Sequence, residues 1–568
     1  MNEQIAWDEF SQADFIESPN VADFITRESD PIRTKIDGWP YARMSKSLDG
    51  NFAVVYIPEE YIDQVLSDPG VTIRTNQPTL LQLMGLAELE NSGVFAIQQH
   101  PYLNLRGQGV IVGFVDTGID YTQPAFQYED GATRIKYIWD QTISGCPPDD
   151  FGYGSEYDEN AVNEALNTAE PRAAVPHEDT IGHGTFLASV AAGKDIGAAP
   201  DANIIAVKLR EARGYHMRSF QMPPEAENVY TSTDVMMGVE YIIRKARQLS
   251  MPAAICIGLG SNQSSHTGNT ILDDYLANVG AHTGFAICVA AGNEAHAGHH
   301  FSGSISSAEQ KLDMLIRCDR DNLPGGISLG IFTGTTDRTS VSITSPLGEV
   351  VARRPVKSSE IFFHQYILER SFASIEYSFP TSKSGSQLII IHVADPTPGI
   401  WTIAVYGDII LVGSVHAWLP ATGLTPGIEF MTPDSYYTVT EPGVGIGVIT
   451  TGAYSALKGS LYPLSSWGPT RLPALAPDFC APGEDVSGIF PSGPGAMSGT
   501  SVAAAITTGA CALMLEWGIV DGMDPSLNTN LIKTYLIRGC AQDAGMGYPN
   551  EQWGYGRLDL LNTFMKMR

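Results

Sequence analysis

The chain has 568 residues, 43% of them hydrophobic, enough to bury a sizeable core in one large domain with additions or in several domains. It carries 34 basic and 63 acidic residues, a formal charge of −29. A surface so acidic repels phosphate backbones and anionic lipid, which argues against nucleic acid and membrane surfaces as partners.

The N-terminus, MNEQIAWDEFSQADF, has neither a basic leader nor an apolar core, so no secretory signal is expected, and synthesis in the cytosol is. No uninterrupted run of about 18 apolar residues occurs, so no membrane insertion is expected. The seven cysteines, Cys146, Cys256, Cys288, Cys318, Cys480, Cys511 and Cys540, form no CxxC pair, and several sit in apolar runs. They read as buried free thiols.

Residues 1 to about 35 are polar and show no clear period. From Tyr41 the pattern is strand, turn at Asp49-Gly50, strand, helix opening at Pro58-Glu59-Glu60, and a strand at VTIR, a small α+β module. The stretch after this module, through Gln98-Gln99-His100-Pro101, reads as a linker. From Gly109 continuous apolar runs begin: GVIVGFVDTGID, NIIAVKL, AAICIGL and GFAICVAAG. Such runs suit parallel strands buried on both faces. Helical stretches such as the one after Thr231 alternate with them, giving a doubly wound α/β sheet.

From about 301 to 425 short alternating segments between Gly, Pro and Asn turns predict an antiparallel β insert of jelly-roll type. The α/β texture then returns, with a long apolar helix from Ser501. The expected domains are 1–97, an N-terminal module and linker; 98–300 and 426–568, two parts of one α/β domain; and 301–425, the insert.

Three segments carry chemistry: Val115-Asp116-Thr117-Gly118 ending a buried strand, Gly182-His183-Gly184-Thr185, and Ser498-Gly499-Thr500-Ser501 opening a helix. Singly each is ambiguous. An Asp at a strand end also suits a metal or a nucleotide, Gly-His-Gly suits a turn, and Ser before an apolar helix suits an N-cap. Together they supply a weak nucleophile, Ser501, a base, His183, and an orienting carboxylate, Asp116. Ala290-Ala291-Gly292-Asn293 adds a side-chain amide, Asn293, able to donate to an oxyanion.

The set VDTG, GHGT, AAGN and SGTSVAA resembles the subtilisin-like serine proteases, over about 98–300 and 426–568. The resemblance implies a subtilisin-like fold, Asp116, His183 and Ser501 as catalytic triad, and Asn293 in the oxyanion hole. It also implies a substrate strand at Ile257-Gly258-Leu259-Gly260, with Ala290, Ala291 and Gly292 as the opposite pocket wall. Two departures are Ala505, where the family usually has Pro, and Ala188-Ser189, where it has Ala-Gly. Neither removes a reacting group.

The N-terminal module and the 208 positions separating Asn293 from Ser501 are similar in layout to the clostridial Csp germination proteases. That resemblance implies a prodomain acting as chaperone and inhibitor in cis, self-cleavage between about Gly85 and Gln99, and a spore-associated enzyme that activates the zymogen of a cortex hydrolase. A general turnover protease and a signalling pseudoprotease are the alternatives. No cofactor is implied, and structural calcium stays open, since no Asp-rich loop has clear ligand spacing. His296, His299 and His300, an HxxHH run, read as a solvated loop rather than a metal site.

Overall fold

The computed structural model describes residues 7, 10–66, 68, 78, 80–83, 92–224, 226–319, 326–357, 360–381, 384–472 and 474–567. Its centre is an eight-stranded sheet among the described residues. In spatial order the strands are Phe479–Pro482, Ile449–Tyr454, Phe285–Ala290, Ala253–Ile257, Ile111–Asp116, Asn203–Lys208, Ile135–Asp140 and Ser155–Asp158. All pairings are parallel except the last, which is antiparallel at the edge. The apolar runs read in the sequence are the inner strands, and Ile111–Asp116 is buried at every position because helices cover both faces.

One of those helices, Thr500–Leu515, is buried along its whole length. Its Thr507 and Thr508 hydroxyls donate back to the carbonyls of Ala503 and Ala504, so polar residues persist in a dry core. With its continuation to Val520 it has the length and hydropathy of a membrane span, 21 residues at a mean hydropathy of 1.5. Yet 89% of that apolar window is buried inside the fold, which makes it a core helix.

The N-terminal module holds more structure than its composition announces: helices Gln12–Glu17 and Asp30–Asp37 and a strand at Val21–Arg27. That strand pairs antiparallel with Phe52–Pro58. Side chains alternate across the pair. Ala22, Phe24, Val55 and Ile57 meet the module's own Ile36, Ile62 and Val65. Val21, Ile25, Phe52, Val54 and Tyr56 join a core shared with Val235, Met236 and Val239 of the helix Ser232–Leu249. One face of the module is therefore completed by the α/β domain. The VTIR strand read near residue 71 and the first part of the expected cleavage window, 85–91, lie outside the described residues. The stretch read as a linker contains a helix, Val94–Gln98, and a short strand, Leu80–Leu83.

Between His300 and Phe430 the described residues form two antiparallel sheets of six and five strands, packed on one apolar cluster that includes Ile331, Ile343, Ile391, Trp401 and Ile403. Burial alternates residue by residue along Gln387–Ala394. All seven cysteines are free thiols, six of them buried and Cys146 exposed.

Candidate active site

Asp116 is the last residue of its strand, His183 the first of the helix His183–Ala192, and Ser501 the second of the helix Thr500–Leu515. Positions 67 and 318 apart in the chain meet at one end of the parallel sheet, where the carboxyl ends of strands open a crevice. His183 Nδ1 lies 2.7 Å from Asp116 Oδ1, and His183 Nε2 lies 3.2 Å from Ser501 Oγ. A carboxylate only accepts, so the shared proton sits on Nδ1 and Nε2 keeps its lone pair toward the Ser501 hydroxyl. Asp116 Oδ1 also accepts from the Thr117 amide at 2.8 Å. The three side chains are buried.

Ser501 is not an N-cap: Gly499 holds that position. As the second helical residue, Ser501 has a backbone N–H without an intrahelical partner, at the positive end of the helix. Asn293 stands beside it. Asn293 Oδ1 accepts from the Thr500 amide and from the Thr500 hydroxyl, both at 3.2 Å. Because an amide N–H can only donate, this fixes which end of the Asn293 side chain is oxygen. The Nδ2 group is left for another acceptor. The same Thr500 hydroxyl accepts from the Gly292 amide at 3.0 Å, tying the Ala290–Asn293 segment to the helix.

Two glycines are demanded by this geometry. Gly182 has φ +87°, a conformation that favours residues without Cβ. At Gly184 an added Cβ would lie 2.2 Å from the Gly118 carbonyl oxygen and 3.3 Å from Asp116 Cβ. The Asp116 and His183 segments thus touch backbone to backbone.

Residues that the motifs do not announce hold these segments. Asp179 Oδ1 accepts from the Thr117 hydroxyl and the Gly182 amide, both at 2.8 Å. Its Oδ2 accepts from the Thr185 amide at 2.9 Å and the Thr185 hydroxyl at 2.6 Å. One buried carboxylate thereby caps the His183 helix and grips the residue after Asp116. The available signal was an Asp shortly before an apolar helix. His177 and Asp140, both fully buried, meet at 2.7 Å, and His177 Nε2 accepts from the Ile119 amide at 3.2 Å, bracing the loop after Asp116. Burial raises the Asp140 carboxyl, but the His177 and Thr142 hydrogen bonds prevail and hold it below its usual value. Ser189, the departure from Ala-Gly, donates to the Phe186 carbonyl at 2.7 Å and accepts from the Ile489 amide at 2.9 Å, so it fastens the Val486–Phe490 strand. Ala505, the other departure, is buried inside its helix.

Of the expected substrate strand, Leu259 and Gly260 form a short strand outside the central sheet, whereas Ile257 ends a core strand and pairs with Val289. Gly258 lies between them: an added Cβ would sit 3.1 Å from both His183 Cε1 and Ser501 Cβ. On the other side Ala291 is knitted into the framework, its amide bonded to the Thr451 carbonyl and its carbonyl to the Thr440 amide. Gly292 abuts the Thr440 and Ser466 side chains.

The HxxHH run is a solvated loop only at His296, which is exposed. His299 is buried and pairs with Glu294 at 2.7 Å, and His300 is buried in a cluster with Trp418 and His416, whose rings also stack on each other. His296 meets the Ser435 hydroxyl instead. The three imidazoles have separate partners, and the aromatic side chains of the adjoining sandwich reach His300.

A family model for the subtilase family matches residues 107–346 and 430–556, well over half of the chain. This chain is a subtilase. It is 24% identical over 475 residues to the subtilisin-like protease SBT3.16 of Arabidopsis thaliana, covering 78% of this chain and 58% of the relative. It is 26% identical over 253 residues to the subtilisin-like serine protease Pen c 1 of Penicillium citrinum, covering 44% of this chain and 48% of that one. The subtilase thus spans about half the length of these curated relatives. Among solved structures, the Clostridium perfringens CspB protease is similar at 31% identity and a TM-score of 0.73, over 84% of this chain and 97% of that one. The segment the family model skips, 347–429, falls inside the β-sandwich.

Proposed function

We propose that this subtilase is a serine endopeptidase that removes its own N-terminal module and then performs limited proteolysis on a protein substrate. The observation that carries the reading is the continuous line from Asp116 through His183 to Ser501, with Asn293 oriented beside the nucleophile. Ser501 Oγ attacks the peptide carbonyl while His183 Nε2 takes its proton, and Asp116 stabilises the resulting imidazolium. The oxyanion is met by Asn293 Nδ2 and the Ser501 amide. His183 then gives its proton to the leaving amine, and water repeats the sequence on the acyl-enzyme.

The substrate we assign is the zymogen of a spore-cortex hydrolase, processed by a spore-associated enzyme. Support comes from the Csp-like layout of module, subtilase domain and β insert, and from the similarity to the CspB protease along most of both chains. A fluorophosphonate probe tests the chemistry: it labels the wild type and not Ser501→Ala. Incubation of matured enzyme with such a zymogen tests the role, and no cleavage rejects it. Fractionation of spores tests the location.

A further inference from the structure

We infer that the seam between the β-sandwich and the α/β domain holds a binding site for a small hydroxylated carboxylate, of the size and kind of a hexuronic or hexonic acid. None of the residues lining it belongs to the triad or to the oxyanion site, and the inference stands apart from the proteolytic reading.

A cleft of about 700 Å³ runs along this seam, a size that encloses small ligands. Thr335, Ser386 and Ser414 line it from the sandwich, and Tyr437 and Arg471 from the chain that follows. His416, in the strand Ser414–Trp418, lines it as well.

Arg471 sets the charge of the ligand. Its Nη1 donates to the Ser265 carbonyl at 3.0 Å and its Nη2 to the Thr333 carbonyl at 3.5 Å, so the other N–H groups of the fork are left for another acceptor. No carboxylate pairs with it among the described residues, although acidic residues outnumber basic ones 63 to 34 in the chain. Burial lowers the guanidinium to about 10, with only Tyr437 acting the other way. A cation held away from water is ordinarily paired. The planar fork fits a carboxylate through two parallel hydrogen bonds. No second Arg or Lys lines the cleft among the described residues, which suits a monoanion better than a phosphate dianion.

His416 and the hydroxyls set the rest of the ligand. The Asp434 carbonyl can only accept, so His300 Nδ1, 3.2 Å away, carries a proton and His300 Nε2 offers a lone pair. His416 Nδ1 lies 3.1 Å from that Nε2 and donates to it, which leaves His416 Nε2 as an acceptor. Burial lowers His416 to about 3 and His300 to about 4, so both imidazoles are neutral near pH 7. Neither His416 Nε2 nor the hydroxyls of Thr335, Ser386, Ser414 and Tyr437 have a hydrogen-bond partner among the described residues. An O–H of the ligand can donate to Nε2, and the four hydroxyls can meet its other oxygens as donors or acceptors. Val412 and Leu472, exposed in the same cleft, give apolar surface for the C–H faces of such a molecule.

The test is calorimetric titration of the purified full chain with glucuronate, galacturonate and gluconate, beside acetate, glucose and glucose 6-phosphate. We expect at least one of the three acids to bind, one per chain and at least tenfold more tightly than acetate, glucose or glucose 6-phosphate. Arg471→Gln should weaken that binding at least tenfold. Because Arg471 also holds two carbonyls, Thr335→Trp is measured beside it and decides alone if Arg471→Gln fails to fold. Thr335 is exposed, so the larger ring should leave thermal unfolding unchanged, crowd the cleft and weaken binding at least tenfold. If none of the acids binds more tightly than acetate and glucose, the inference falls. It falls equally if glucose 6-phosphate binds best, or if binding of the acid survives both substitutions. No arm reads proteolysis, so a failure here leaves the endopeptidase reading standing.

Discussion

Thr500 holds Asn293 by two hydrogen bonds, from its amide and its hydroxyl, to the same oxygen Oδ1. The residue before Ser501 thereby orients the side-chain amide proposed as oxyanion donor. Asn293→Ala should lower kcat by about 10²–10³, equivalent to about 2.7–4 kcal/mol, with KM little changed. Thr500→Val keeps the Asn293 donor and its bond from the Thr500 amide but removes the hydroxyl's bonds to Asn293 and to the Gly292 amide, so a loss of about tenfold is expected. Steady-state kinetics on one peptide substrate checks both, and an equal effect of the two would mean that Thr500 does more than orient.

Asp179 is the second residue whose loss should be felt at the triad without its touching substrate. Its carboxylate caps the His183 helix and satisfies the Thr117 and Thr185 hydroxyls. A lost cap costs about 1 kcal/mol, and each buried polar group left unpaired about 1–3 kcal/mol. Asp179→Ala should therefore destabilise by about 3 kcal/mol and lower kcat, since both Thr117 and the start of the His183 helix lose their anchor. Urea unfolding and kinetics measured together check this. Asp179→Asn, which keeps an acceptor oxygen, should recover part of each.

These two cases mark what a single sequence discloses. That Asp116, His183, Ser501 and Asn293 belong together was legible because each stands among small, fixed neighbours next to it in the chain. The strands were legible because burial on both faces forces continuous apolar runs. Asp179, Thr500 and the His177–Asp140 pair were not, because an isolated Asp, Thr or His has a bland use almost everywhere, and their partners are close only after folding. The Leu80–Leu83 strand was missed for a similar reason: its pairing partners come from residues 229–231 and 259–260, and four residues set no period of their own. Within the HxxHH run His300 was misread because its burial is supplied by Trp418 and His416, more than a hundred positions away.

That cluster, which also holds His266 stacked on Trp418 at 4.1 Å, should make the fold acid-sensitive. Burial lowers His266 to about 3, His300 to about 4 and His416 to about 3. The groups facing them are the Asp434 and Val439 carbonyls, the Asp434 side chain, Tyr437 and the Arg471 guanidinium, and the imidazoles also face one another. Histidine kept neutral in the folded state and free to protonate at about 6.5 in the unfolded state stabilises the fold above pH 6.5. That stability falls as the pH drops from about 6.5 toward 4, because the unfolded chain then binds more protons. Denaturant unfolding at pH 7 and pH 5 should show the loss, and His416→Gln should reduce its slope by about one proton. An unchanged slope would remove His416 from the account.

The cut module should stay bound to the protease. Asp23, fully buried on the strand Val21–Arg27, meets Arg213 Nε at 2.8 Å and His216 at 3.4 Å, and accepts from the Thr233 hydroxyl. Arg213 also donates to the carbonyls of Ser18, Val21 and Ile16. Burial alone would raise the Asp23 carboxyl. The His216 hydrogen bond and the His216, Arg213 and Arg210 charges overcome it and hold the group well below the usual carboxylate range. Its stabilisation is thus present above the unfolded value of about 3.9 and lost only in stronger acid. Near neutral pH this pair, with the apolar face shared by Phe52, Tyr56 and Val235, should keep the cleaved module in place. Asp23→Ala leaves Arg213 buried without its carboxylate, a change of about 3–5 kcal/mol for a broken buried pair. Size-exclusion chromatography after self-cleavage should show wild-type module and protease eluting together. The Asp23→Ala module should elute separately or be degraded. If the Asp23→Ala module stays bound as tightly as the wild type, the apolar face alone holds the two together.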